Sequence, residues 1–263
     1  MSRLRQYGIN TVRIPIGYWA YDNSNTPFIY GAPGSQNGFQ NSGREGSVDW
    51  QKGMNLDHTT DVLKTIAAKY GKWEWSGTIV GIELQLVMHD SFLGPSAWLD
   101  VVEDLRAEHG LWNTPLFSID AHYYRVFGED NSNYNQDDHI NATCQWAAAE
   151  LAAAGDASLP AYVGEFSAVT NICVNPDGTT TGGMSCSTPG CQCQTMTGWQ
   201  DWDDQMVAQV RRFVEAQLDA FEAHSQGYFL WSLKAPNGWG FLNGIEKGFI
   251  PNPLTSRQFG QLC

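Results

Sequence analysis

The chain has 263 residues, 42% of them hydrophobic, and a formal net charge of -13. That length and apolar content suit one α/β barrel or two smaller domains and exclude a disordered chain. The few scattered Lys and Arg exclude the basic footprint of a nucleic-acid partner, and no stretch is long and apolar enough to cross a membrane as a helix. An acidic surface suits a soluble protein facing neutral substrates. The 11 Trp, 10 Tyr and 12 Phe mostly serve packing, but the flat apolar face of a sugar ring also packs on an aromatic ring.

"INTVRIPIGYW" (9–19) is predicted as a strand with Arg13 in its middle. A Gly-, Asn- and Ser-rich loop follows at 21–46. "NLDHTTDVLKTIAAKYG" (55–71) reads as a helix capped by Asp57 and stopped at Gly71. "TIVGIELQLVMHDSF" (78–92) reads as one β-rich run, longer than the usual strand of about five or six residues. Glu83 sits inside it, and His89 and Asp90 close it. "PSAWLDVVEDLRAEHG" (95–110) is an amphipathic helix, and "PLFSIDAHYYRVF" (115–127) is a strand with a polar, aromatic far end. An Ala-rich helix (139–155), a strand "LPAYVGEFSAV" (159–169), a Cys-rich loop, a long helix (201–225) and a last strand "GYFLWSLKAPNGWGF" (227–241) complete the chain. The long helix opens on Asp residues, as the helix dipole favours.

Strand-helix alternation without a linker predicts a parallel sheet in one domain over 1–263. Arg13, His89, His122, Glu165 and Trp231 cluster towards the ends of strands, which is the pattern of an α/β barrel with its chemistry at the C-terminal rim. A doubly wound open sheet is the alternative. It wants a Gly-rich phosphate loop after a strand, and "GAPGSQNG" lacks that spacing.

Glu165 follows a short apolar strand segment and precedes small polar residues. The plain reading is a buried Glu paired with an Arg such as Arg13. In a retaining glycosidase such a Glu is the nucleophile, with a second carboxyl group about 5 Å away as acid/base. His122 and Tyr124 stand two apart and so on one strand face, suited to holding sugar hydroxyls and the nucleophile. Trp231 is either a core residue or a floor beneath a sugar.

The six cysteines, Cys144, Cys173, Cys186, Cys191, Cys193 and Cys263, fit an oxidised, secreted protein. "CSTPGCQC" reads as a metal site or a disulfide-tied loop. No His is interleaved, so the loop is preferred and no metal is expected. Asn141-Ala142-Thr143 is a glycosylation sequon. The opening "MSRLRQYGINTVRIPIGYW" has no signal-peptide h-region, which conflicts with the cysteines and predicts an N-terminus missing from this chain.

"INTVRIPIGYWA", "GAPGSQNGFQNSG", "HDSF", "DAHYYRVF", "DDHINATCQW", "VGEFSA", "RRFVEAQLDAFE", "FLWSLK" and "RQFGQLC" together resemble, in order and over nearly the whole chain, the fungal exo-β-1,3-glucanases of glycoside hydrolase family 5. The resemblance implies a (β/α)8 TIM barrel, retaining hydrolysis without a cofactor, and glucose released from β-glucan ends by a secreted or cell-wall monomer. By position it makes Glu165 the nucleophile. Arg13, His122, Tyr124 and Trp231 ring the first glucose, Asn41 hydrogen-bonds sugar, and Phe39 and Phe127 clamp the glucan. It also implies disulfides Cys144–Cys263 and Cys173–Cys193, which leaves Cys186–Cys191 as a local bridge among the 15 pairings that six cysteines allow.

Three parts of the family pattern are missing. The first strand region is absent. A helix and the third strand should lie between "YWA" and "GAPGSQNG", and Tyr30 stands where the family's strand-end His is expected. The fourth strand should run from "GIEL" into Leu-Asn-Glu-Pro, whose Glu is the acid/base, and then a helix should lead to "HDSF". Here "GIELQ" meets "LVMHDSF" directly. Glu83 lies roughly 13 Å back along the strand, too deep to replace the acid, and Asp90 is a poor fallback. The expectation is an incomplete barrel from a shortened gene product: an incomplete gene model, a skipped-exon form or a decayed copy. A glucan-binding homologue impaired in catalysis is the alternative to a working hydrolase.

Overall fold

The structure, a computed structural model, describes residues 2–16, 33–35, 46–79, 90, 92–110 and 118–263. They form two compact units, Arg13–Val87 in one and Met1–Val12 with Met88–Cys263 in the other. The larger unit opens with the short helix α1 (Ser2–Gln6). Residues 9–16, predicted as the front of a strand, form none. A strand needs a ladder partner, and β-rich composition does not supply one; Val12, Ile14 and Ile16 stay exposed. Residues 17–19 and 80–89, which hold Glu83 and His89, lie outside the described residues, as do Tyr30, Phe39 and Asn41.

The smaller unit carries α2 (Asn55–Tyr70). Its N-cap is Met54, so Asp57 is not the cap. Asp57 instead lies in the first turn, where its charge meets the positive end of the helix dipole. Gly71 ends the helix as predicted, its N–H bonding the Ala67 carbonyl.

In the larger unit a 3₁₀ turn, Pro95–Trp98, leads into α3 (Leu99–His109), which stops at Gly110. Strand β1 (Ile119–Arg125) follows. The Ala-rich helix is α4 (Gln136–Trp146), a π-helical turn (Ala147–Leu151) and α5 (Ala152–Asp156). It starts before the predicted 139 because Asn135 and Asp138 form a capping box across its first turn. Strand β2 (Ala161–Thr170) comes next.

The Cys-rich loop holds a small antiparallel sheet of β3 (Ile172–Val174), β4 (Thr180–Gly182) and β5 (Gln192–Cys193), in the order β4-β3-β5. The long helix α6 (Asp204–His224) is capped by Asp203, whose side chain accepts the Met206 N–H. The last predicted strand is short, β6 (Tyr228–Leu230), and α7 (Phe241–Lys247) follows it.

Strands β1, β2 and β6 pair in parallel in the order β1-β2-β6. The fold is therefore α/β with a parallel sheet, as the strand-helix alternation predicted. One side of that sheet buries the stripe Met206, Val210, Val214, Leu218 and Phe221 of α6, spaced three and four apart as a helix face requires. Phe166 of β2 meets Phe221 edge-on, with ring centroids 5.1 Å apart. Among the described residues no helix is long and apolar enough to cross a membrane.

All six cysteines are in disulfides: Cys144–Cys263, Cys173–Cys193 and Cys186–Cys191. The sulfurs of Cys173, Cys186 and Cys193 lie within 4.8 Å of one another, but bonded sulfur is not a thiolate ligand. Asn141 is exposed on α4, while the hydroxyl of Thr143 is buried against Tyr123. The C-terminal residues are tied to α6 through buried charge. Glu215 accepts the backbone N–H groups of Gln258 and Phe259 at 2.9 to 3.0 Å and pairs with Arg211 at 2.5 Å. Arg211 in turn donates to the Gly248 carbonyl at 3.0 Å and to that of Ser256.

His139 on α4 is fully buried beside Tyr134 and Phe213, and neither ring nitrogen has a hydrogen-bond partner among the described residues. Burial holds its imidazole down at about 4, against 6.5 when free; the Arg125 guanidinium adds to this and Asp138 opposes it. The folded state stays neutral where the unfolded chain takes up a proton, so stability is lost as pH falls from 6.5 towards 4. The loss amounts to about 3 kcal/mol by linkage. Urea unfolding at pH 7 and pH 4.5 is expected to show a smaller acid loss in His139→Leu than in the unsubstituted chain; equal losses would remove His139 from the account.

Candidate active site

Asp120, His122 and Tyr124 alternate along β1 and so share one face. The pairing of β1 with β2 shifts at this point. Ala121 stands opposite Val163, but His122 stands opposite Glu165, which leaves Gly164 as an extra residue in β2. Such a bulge re-aims the side chain that follows it, here Glu165. A side chain at 164 would displace the Asp120 carboxylate. A Cβ there would lie 1.6 Å from Oδ1 of Asp120.

Two groups of β1 converge on one oxygen of Glu165. Tyr124 Oη donates to Oε2 at 2.8 Å, and His122 Nδ1 lies 3.3 Å from the same atom. The other ring nitrogen of His122, Nε2, is 2.9 Å from Oδ2 of Asp120. The Glu165 side chain is 16% exposed and that of His122 only 5%, so the carboxylate reaches solvent while the imidazole beside it is buried.

Aromatic rings flank this cluster. Tyr124, Phe127 and Trp239 are mutually adjacent, with centroids 5.6 to 6.0 Å apart. Phe127 is 62% exposed, which leaves a ring face open to solvent. Phe92 stands edge-on to His122 at 6.1 Å. Trp231 directly follows β6, half exposed, and its N–H bonds the Phe166 carbonyl next to Glu165. The Trp231–Ser232 peptide is cis.

Asp90 is buried. Its N–H donates to the Asp120 carbonyl, and its Oδ1 accepts the Phe92 N–H at 3.0 Å. Burial raises its carboxyl above the usual range, against the downward pull of the Phe92 amide and of His122.

The structure thus brings Glu165, His122, Tyr124 and Phe127 together, with Trp231 at the end of the strand beside Glu165. Arg13 is half-buried and belongs to the smaller unit. Sequence reasoning passed over Asp120 and Trp239. The alternation in "DAHYY" carried a signal for Asp120, since it shares the face of His122 and Tyr124. Trp239 sits in the 3₁₀ turn Asn237–Trp239, where no periodicity marks a side chain's direction.

No protein-family model matches the chain. Curated relatives do. The chain is 30% identical to a glucan 1,3-beta-glucosidase of Schwanniomyces occidentalis, over 98% of its own length and 73% of the relative's. It is 31% identical to the enzyme of that name from Yarrowia lipolytica, over 98% and 74%. With the glucan 1,3-beta-glucosidase I/II of Saccharomyces cerevisiae the identity is 28% over 335 positions, 72 more than the 263 residues of this chain, all of which are covered. Those further positions are therefore gaps inside this chain's sequence. Identity at this level, sustained from one end of the chain to the other, makes it a member of the glucan 1,3-beta-glucosidase family.

Proposed function

We propose that the chain descends from, and retains the nucleophilic half of, a retaining β-glucan hydrolase that releases glucose from β-1,3-glucan ends. The observation that carries this reading is the Glu165 carboxylate, held on one oxygen by Tyr124 and His122 from the neighbouring parallel strand. In that role Glu165 attacks the anomeric carbon, and a glycosyl ester forms as the leaving oxygen departs. Water then cleaves the ester. Tyr124 fixes the attacking carboxylate, and Phe127 with Trp239 offers the sugar a stacking face. Trp231 is the remaining residue of this unit proposed at the first glucose. The displacement needs only carboxyl groups and water, with no metal or cofactor. The disulfides and the glucosidase relatives support a secreted or wall-associated protein, which is proposed to act as a monomer.

The scaffold proposed is a (β/α)8 barrel shortened within a single glycoside hydrolase domain. The 72 positions without counterpart support it, as does the direct meeting of Gln85 and Leu86 where the family carries Asn-Glu-Pro. That Glu protonates the leaving oxygen. Its loss bears on rate rather than on the kind of reaction, and general acids contribute about 10²–10⁴-fold. The same observation favours a second reading, a glucan binder with little turnover.

Leaving-group dependence tests the proposal. 2,4-Dinitrophenolate departs from its β-glucoside without a proton, so the chain is expected to release it in a burst of one equivalent and then slowly, because the carboxyl group it lacks is also the base that activates water on the glycosyl ester. Laminarin, whose leaving sugar needs a proton, is expected to release glucose about 10²–10⁴-fold more slowly than from a relative that has the acid. Binding of laminarin with no cleavage of either substrate would establish the second reading.

A further inference from the structure

We propose that Asp120 is a positioning residue of this site: its carboxylate fixes the His122 ring, and through that ring it sets the place of Glu165. The inference rests on the reading of Glu165 as nucleophile. Imidazole in a strand can flip by half a turn and exchange its nitrogen and carbon edges. Asp120 Oδ2, 2.9 Å from Nε2, allows only the orientation that turns Nδ1 to Glu165 Oε2. Each ring nitrogen thus faces a carboxylate oxygen of its own, Nε2 that of Asp120 and Nδ1 that of Glu165. Among the described residues, Asp90, Asp120 and Glu165 are the acidic groups that face the ring.

A second observation is independent of the ring. Gly164 is the extra residue of the bulge that sets Glu165 opposite His122. Its missing side chain is also the space that Asp120 Oδ1 occupies, 1.6 Å from where a Cβ would be. One glycine therefore aims the nucleophile and admits the carboxylate that holds its support. Nothing in the sequence pattern requires the same residue to do both, and together they tie Asp120 to the geometry of the site.

The test is the rate at which 2,4-dinitrophenyl 2-deoxy-2-fluoro-β-glucoside labels Glu165, followed by intact mass and peptide mapping, alongside the ¹⁵N shifts of the His122 ring. This reagent needs no general acid. Asp120→Ala is expected to slow labelling by roughly 10²-fold, the cost of a misplaced reacting group, and to shift the His122 nitrogens. Asp120→Asn keeps an acceptor of the same shape and is expected to recover most of the rate. Gly164→Ala, which displaces the carboxylate, is expected to reproduce the loss. Labelling of Asp120→Ala at the unsubstituted rate overturns the proposal. So does a loss matched by a lower unfolding temperature with the His122 shifts unchanged, which marks a purely structural role. If the unsubstituted chain is not labelled at all, the nucleophile reading fails. The His122 shifts in Asp120→Ala then decide on the ring contact alone: unchanged shifts overturn it, altered shifts uphold it.

Discussion

Glu165→Gln is expected to lower cleavage of 2,4-dinitrophenyl β-glucoside by roughly 10⁴- to 10⁶-fold, the range seen when a covalent nucleophile is removed. The amide is isosteric and can still accept from Tyr124, so the cluster is expected to keep its shape. What it loses is the anionic oxygen to which the proposal gives the attack on carbon. Because 2,4-dinitrophenolate leaves without help, the effect is read cleanly in its first release, before hydrolysis of the glycosyl ester sets the rate. Loss of cleavage with laminarin binding intact is the outcome the proposal requires. Cleavage by Glu165→Gln at a rate within tenfold of the unsubstituted chain would remove Glu165 from the reaction, and the cluster around it would then be structural.

The second large effect concerns stability. Glu215→Ala is expected to destabilise the fold by about 3–5 kcal/mol, the usual cost of leaving one partner of a buried ion pair uncompensated. Glu215 is wholly buried, and Arg211 is 5% exposed. Without Glu215 the guanidinium keeps only carbonyl partners, and the N–H groups of Gln258 and Phe259 lose their acceptor. Urea denaturation measures the change, and a loss under about 1 kcal/mol, the size of an exposed ion pair, would show that water reaches the pair. The disulfide Cys144–Cys263 pins the same terminal segment covalently, so reduction and Glu215→Ala together are expected to cost less than their sum.

Much of the helical part of the fold was legible because its signals are local. Helix α6 shows its apolar stripe at a spacing of three and four, with Asp203 in front, and α2 and α3 end at Gly71 and Gly110 as read. The strand 9–16 failed for the opposite reason. Its composition is local, but a ladder partner is not. The Cys-rich segment hid a three-stranded sheet because its strands are two or three residues long, too short to show alternation. Of the site, Glu165, His122, Tyr124 and Phe127 were legible from their motifs. The bulge at Gly164 was not, since a register shift is a relation between two strands. Asp120 was hidden behind that bulge, and Trp239 behind a turn.

Gly164 also leaves a mark that can be read without purifying protein. Every single-base missense change in a glycine codon installs a residue with a Cβ, and here that atom would fall on the Asp120 carboxylate. A gene kept in use tolerates only silent changes at that codon, whereas a copy drifting free of selection accumulates replacements there as fast as anywhere else. Natural variation at one codon, compared among isolates of the same species, thus separates a shortened gene in service from a relic.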